Sequence, residues 1–242
     1  MPSQDMPLIV QSDRTLLLDV HAPLAEECRN ALIPFAELLR SPEHLHTYAL
    51  TPLSLWNAAS AGFTSQDAID VLKKFSRYEV PQNVLVWISE TANRFGKLRL
   101  VPCPSGKEEY LYLVSSSPYV FKEISANPAV QKLMLPCTYE EPDSEALKGV
   151  SVSEEEKKYC FILNLTDRGT VKQQLLKLGW PVKDDVPLQD GAPLEINLRE
   201  KTLAGKAFEI REYQKKSAQA LIGDRGPGTG FGTIVLPCGA GK

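Results

Sequence analysis

The stretch GTIVLPCGAGK, residues 232–242, combines residue types that can hold a phosphate. Glycines let backbone amides turn inward on phosphate oxygens, a lysine reaches the outer phosphates, and a following Ser or Thr binds Mg²⁺. Gly239, Gly241 and Lys242 supply a G-x-G-K element directly after Ile234-Val235-Leu236, which reads as a buried strand. Two features depart from G-x-x-x-x-G-K-[ST]: Leu236 stands at the first glycine position, and no residue follows Lys242. Read alone, the element fits either a phosphate loop or an ordinary strand-to-surface turn. The upstream GPGTGFG precedes the strand instead of following one, so it reads as a helix-to-strand loop and not as a dinucleotide fingerprint.

The loop needs elements to hold it. In FEIREYQKKSAQALIG, Ile210, Tyr213, Ala218 and Leu221 or Ile222 recur at helical spacing and predict an amphipathic helix. At the other end, LIVQSDRTLLLDV reads as a hairpin around Ser12-Asp13-Arg14. A helix follows from Pro23, kinked or ended by Pro34, and HLHTYALT reads as a strand. Three helices come next. Thr51-Pro52 opens the first and Gly62 closes it, the second runs from Thr64 or Ser65 towards Tyr78, and the third starts at Pro81 and ends at Gly96. KLRLV and EEYLYLVSS then read as strands, giving the element order of a winged-helix-like unit.

Between Thr138 and Lys158 the composition turns to Glu, Ser, Asp, Pro and Lys, with the run Glu154-Glu155-Glu156, and this reads as a linker. Beyond it lie the strand YCFILNL, a helix from about Gly169 to Leu178 ended by Gly179 and Pro181, and a β-prone PLEINL. The expected partition is therefore 1–137, a linker at 138–158, a small unit at 159–203, and the loop-bearing segment 204–242. The fold class expected is α+β for the first part and α/β for the other two.

Composition bounds the partners. With 27 Lys and Arg against 30 Asp and Glu, the formal charge of -3 excludes a strongly basic nucleic-acid sponge but leaves room for a local basic groove. Five cysteines without a C-x-x-C pair argue against a secreted disulfide framework, and no apolar run approaches membrane-spanning length. A cytoplasmic protein is expected.

REYQKKSAQALI, a Gly-rich loop and GTIVLPCGAGK together resemble the start of the first motor domain in XPB-type superfamily-two helicases. LIVQSDRTLLLDV, TPLSLWNAASAG and VPQNVLVWISETANRFG resemble the N-terminal domain of the bacterial members, and the small unit occupies the place of their damage-recognition domain. The resemblance implies that Arg211, Tyr213 and Gln214 form the element whose glutamine meets adenine. It also implies that Leu236, Pro237, Cys238, Gly239, Ala240, Gly241 and Lys242 form the phosphate loop of a RecA-like motor. A leucine at position 236 is ordinary in that family.

The activity implied is ATP-driven 3′-5′ DNA unwinding or translocation in repair, with ATP and Mg²⁺ as cofactors, DNA as substrate, and a protein partner docking on the N-terminal domain. The acidic Mg²⁺ motif and the second motor domain lie outside these residues. Residues 1–242 by themselves are therefore expected neither to bind nucleotide nor to turn it over, and no catalytic residue is assigned among them. A restriction-type superfamily-two translocase and a non-catalytic interaction module are the alternatives.

Other chemically suggestive residues have plainer readings. His44 and His46 would share one face of a strand, but no further ligand completes a metal site. Cys238 lacks a nearby histidine that would make it a nucleophile, and Trp56, Trp87 and Trp180 read as core anchors, with base stacking the alternative for Trp180. Arg94, Lys97 and Arg99 are thin support for phosphate contacts, so docking is favoured over DNA reading for the helical unit.

Overall fold

A computed structural model describes residues 5–103, 107, 109–140, 150–186, 194–195, 197, 199–223, 233–234, 236 and 238–240. The chain divides into two compact units, Met1–Pro187 and Leu188–Lys242.

The first unit opens with β1 (Leu8–Val10) and β2 (Thr15–Asp19), the expected hairpin. Its turn holds Arg14 in the left-handed region at φ 74°, and the guanidinium lies 4.6 Å over the Trp87 ring, an attraction that offsets the strain. After α1 (Ala25–Leu32), the chain forms β3 (Glu37–Arg40) and β4 (Leu45–Ala49). These complete a four-stranded antiparallel sheet in the order β1-β2-β4-β3. Alternation puts Leu16 and Leu18 on one face, where they meet Cys28, Leu32 and Phe35 from the α1 region.

Three helices cover the same core: α2 (Pro52–Ser60), α3 (Ser65–Phe75) and α4 (Gln82–Ala92). Thr51 and Ser54 cap α2 reciprocally, at 3.0 and 3.1 Å, and Pro52 occupies the first turn where its missing donor costs nothing. Thr64 and Asp67 do the same for α3. Gly62 and Gly96 terminate their segments at φ 87° and 84°. The apolar stripe Ala68, Ile69, Leu72 and Phe75 of α3 faces inward with Val84 and Ile88 of α4. Trp56 donates its Nε1–H to the Thr91 carbonyl at 2.8 Å, which joins α2 to α4.

Next come β5 (Leu98–Pro102), β6 (Tyr110–Ser115), α5 (Pro118–Ser125), α6 (Pro128–Gln131) and β7 (Met134–Cys137). They are followed by α7 (Glu154–Lys157), β8 (Cys160–Asn164), α8 (Arg168–Lys177) and β9 (Val182–Asp184). The strands form a single five-stranded sheet in the order β7-β8-β6-β5-β9, antiparallel except for the β5-β9 pair. This departs from the expected partition in two ways. The β5-β6 hairpin, expected as the wing of the helical unit, is the centre of this sheet. The sheet also draws strands from both sides of the stretch read as a linker.

The physical reason is that β6 is buried on both faces. Leu111 and Leu113 meet Phe161, Leu163, Val171 and Leu175 on one side. Tyr112 and Val114 meet Val101 and Cys160 on the other, where Tyr139, Val150 and Val152 from the polar stretch complete the cover. Glu156 of the acidic run is itself buried.

In the second unit, Lys201 and Ala207 form an isolated bridge and α9 (Glu212–Ile222) is the expected helix. Half of PLEINL lies outside the described residues, and its described positions, Leu194, Glu195 and Asn197, carry no strand. Thr233, Ile234 and Leu236 are also not in a strand, and Ile234 is exposed. A buried strand needs hydrogen-bonded neighbours, and the described residues of this unit provide none.

Candidate nucleotide-binding site

Arg211 sits at the N-cap of α9 with extended backbone. Its side chain has no acceptor, so it cannot bond the open amides of the first turn. Gln214 makes the return half of the cap alone, its Oε1 accepting from the Arg211 backbone N–H at 3.0 Å. The remaining half of the Gln214 amide points to the glycine loop, where Nε2 donates to the Ala240 carbonyl at 3.3 Å. Tyr213 reaches the same carbonyl, its hydroxyl donating at 2.6 Å, and the Arg211 guanidinium donates to the tyrosine oxygen at 3.4 Å.

One carbonyl of the loop thus accepts from both side chains of the Tyr-Gln pair. The adjoining Gly239 is at φ 82°, a conformation that a side chain at this position would strain. Cys238 is exposed and unpaired with any other cysteine. Leu236 is half-buried. Pro237, Gly241 and Lys242 lie outside the described residues.

The first unit places the other chemically suggestive residues as follows. His44 Nδ1 and His21 Nε2 are 2.8 Å apart, a pairing from distant segments that the sequence reading missed, while His46 sits opposite Leu18 in the β2-β4 register. Among the described residues no group of three or more His, Cys, Asp or Glu is arranged to hold a metal ion.

Arg94 lies 5.1 Å over the Trp180 ring and donates to the Gly179 carbonyl at 3.2 Å. Trp180 packs against the core of the five-stranded sheet and donates its Nε1–H to Glu123 at 3.2 Å. Arg99 bridges Glu156 at 3.0 Å and Asp185 at 2.7 Å. Burial opposes the charge on Glu156, yet hydrogen bonds from Ser153 and Arg99 outweigh it and hold the carboxyl below its ordinary value. Asp184 is lowered in the same way, Arg168 and Lys172 overcoming its burial. Arg94 and Arg99 are therefore engaged within the first unit.

Two sheets flanked by helices, followed by a segment in which a Tyr-Gln pair is tied to a glycine loop, make this a mixed α/β protein. The chain belongs to the helicase conserved C-terminal domain family, which its residues 8–138 match. That match ends well before the glycine loop, so the loop is an independent observation. Over 98% of its length the chain is 42% identical to the DNA 3′-5′ helicase XPB of Kineococcus radiotolerans. It is 39% identical to the same-named protein of Mycobacterium tuberculosis, again over 98% of its length. It is 27% identical to the general transcription and DNA repair factor IIH helicase/translocase subunit XPB of Antonospora locustae. The chain spans 37%, 38% and 31% of those proteins respectively. No helix among the described residues is long and apolar enough to cross a membrane.

Proposed function

We propose that these residues belong to an ATP-driven 3′-5′ DNA helicase or translocase acting in DNA repair, and that residues 236–242 with Arg211, Tyr213 and Gln214 are part of its nucleotide site. The observation that supports this reading is the double tie of Tyr213 and Gln214 to Ala240. It brings a residue able to read adenine to a loop able to hold phosphate. A carboxamide offers one acceptor and one donor side by side, which matches the N6 amino group and N7 of adenine. In Gln214 those two atoms hold the Arg211 amide and the Ala240 carbonyl, so adenine would exchange with bonds already made. Lys242 would meet the outer phosphates, and bound Mg²⁺ would neutralise the charge developing on them.

The test is ATP hydrolysis by the full-length protein with and without DNA. Lys242→Ala is expected to abolish DNA-stimulated turnover, and Gln214→Ala to raise the KM for ATP while leaving GTP use unchanged. Retained DNA-stimulated turnover in Lys242→Ala would overturn the assignment of the loop.

In this proposal the first unit is an accessory region that docks a protein partner instead of reading DNA sequence. In the family's scheme the first unit would supply the N-terminal domain and the damage-recognition-like region, and residues 204–242 would begin a RecA-like motor. Docking is favoured by the engagement of Arg94 and Arg99, and by the edge strand β3, all four residues of which are exposed. Arg94→Ala in the full-length protein is expected to change duplex DNA affinity less than about twofold, because its guanidinium is held by Trp180 and the Gly179 carbonyl; a larger loss with the salt slope reduced by about 1 would instead mark a phosphate contact.

A further inference from the structure

Cys137 closes β7 and Cys160 opens β8, and the antiparallel register sets them directly opposite each other. Their sulfurs are 3.4 Å apart. Opposed residues of an antiparallel pair have Cα atoms about 4.5 to 5.5 Å apart, inside the range of about 4.4 to 6.8 Å that a disulfide spans. Closing the sulfurs from 3.4 Å to a bonding distance of about 2.05 Å needs a movement of about 1.4 Å. β7 is the edge of its sheet, so the strand carrying Cys137 is held on one side only and can yield that movement.

The two thiols differ in access. Cys160 is fully buried among Val101, Tyr112 and Val114, whereas Cys137 is half-buried at the strand end. A hydrogen bond from Cys160 favours the Cys137 thiolate and holds that thiol below its ordinary value; the same bond, then burial, pushes Cys160 up. Cys28 and Cys103 are buried, and burial pushes each to about 12. The more accessible thiol of the pair, Cys137, therefore faces a fully sheltered one, Cys160.

We propose that Cys137 and Cys160 are a peroxide-responsive dithiol that closes into a cross-strand disulfide, with Cys137 the attacking and Cys160 the resolving residue. The Cys137 thiolate attacks one oxygen of hydrogen peroxide; the O–O bond breaks, and the departing hydroxide takes a proton to leave as water. This gives a sulfenic acid on Cys137. The Cys160 sulfur then attacks the Cys137 sulfur, the S–O bond breaks, and the hydroxyl leaves as water with the proton from Cys160. Two thiols lose two electrons and two protons, and one peroxide becomes two waters. The product ties the edge strand to its neighbour and cross-links the chain across residues 138–159. A small thiol reverses it by exchange.

The experiment exposes the full chain to equimolar hydrogen peroxide at neutral pH, followed by denaturation, alkylation and peptide mass spectrometry. The expected result is a Cys137–Cys160 cross-linked peptide two hydrogen masses below the sum of its parts, removed by dithiothreitol, with Cys28 and Cys103 fully alkylated. Cys160→Ala should accumulate a dimedone adduct on Cys137 at least tenfold above the wild-type chain. Should that variant fold poorly, Cys137→Ser leaves the buried position intact and must abolish the cross-link. Oxidation should raise the melting temperature of the wild-type chain by about 5 °C and that of Cys137→Ser not at all. A cross-link from Cys137 to Cys103, or equal dimedone labelling of Cys137 in wild type and Cys160→Ala, overturns the proposal.

Discussion

Helices α3 and α9 have the same length of 11 residues, and both begin at a residue whose backbone N–H is capped by the side chain three positions on. They differ in what receives them. α3 buries Ala68, Ile69, Leu72 and Phe75 against a sheet and two further helices. α9 buries no residue, and Ile222 remains 52% exposed. Capping and propensity suffice to start a helix, but most helical stability comes from an apolar face finding a partner. The first unit supplies such partners for its helices, while the described residues of the second leave Phe208, Ile210 and Ile222 exposed.

The contrast can be broken by mutation. Phe161, fully buried with its ring 4.5 Å from that of Phe121, anchors one face of the five-stranded sheet. Phe161→Ala should destabilise the first unit by about 3 to 5 kcal/mol in urea unfolding, and hydrogen exchange in α9 should not change.

Arg99→Leu should cost about 3 kcal/mol, because Glu156 would be left buried without its cation. Glu156 and a second ion-paired carboxylate, Asp184 with Arg168 and Lys172, make stability depend on pH. Glu156 and Asp184 have native values below their unfolded ones, so their contribution is complete above the unfolded carboxylate range near ~4 and is lost as pH falls through the lower native values. Stability of the wild-type chain in chemical denaturation should fall from about pH 5 downward, and Arg99→Leu should remove the Glu156 part of that slope while leaving the Asp184 part.

Gly179 ends α8 at φ 81°, and a Cβ there would lie 2.9 Å from the Arg94 guanidinium. Gly179→Ala should cost about 1 to 2 kcal/mol, chiefly from the backbone. Its control is Gly96→Ala, which has similar φ and open space around the added carbon. The smallest effect belongs to the second unit. Tyr213→Phe removes one hydrogen bond to Ala240 and should change thermal stability by less than about 1 kcal/mol. Its readout is therefore local proteolysis near residue 240 and not the melting temperature.

Punctuation in the sequence was legible where it acts locally. Thr51-Pro52 and Gly62 bound α2, and Gly96 ends the segment after α4 as expected. The same signals, Ser117-Pro118 and Asn127-Pro128, open α5 and α6, which the reading passed over. β3 gave no cue, since all four residues of Glu37–Arg40 are exposed and nothing alternates. The larger miss was non-local. Glu154 to Lys157 looks like a solvated run, and only the position of Arg99 on β5 explains why Glu156 is buried. At the candidate site, Gln214 and the loop were both named from sequence, yet their meeting point, the Ala240 carbonyl, is a backbone atom that no residue type announces.

The parallel pairing of β5 with β9, in which Leu98 meets Val182, bears on how the chain folds as it is synthesised. The β5-β6 hairpin can close early, but both its outer edges stay open until β8 and β9 emerge. Such distant closures are the slow steps of folding, and open edges invite pairing with other chains. A ribosome-bound chain halted before residue 160 should therefore recruit chaperones, while one released beyond residue 184 should not.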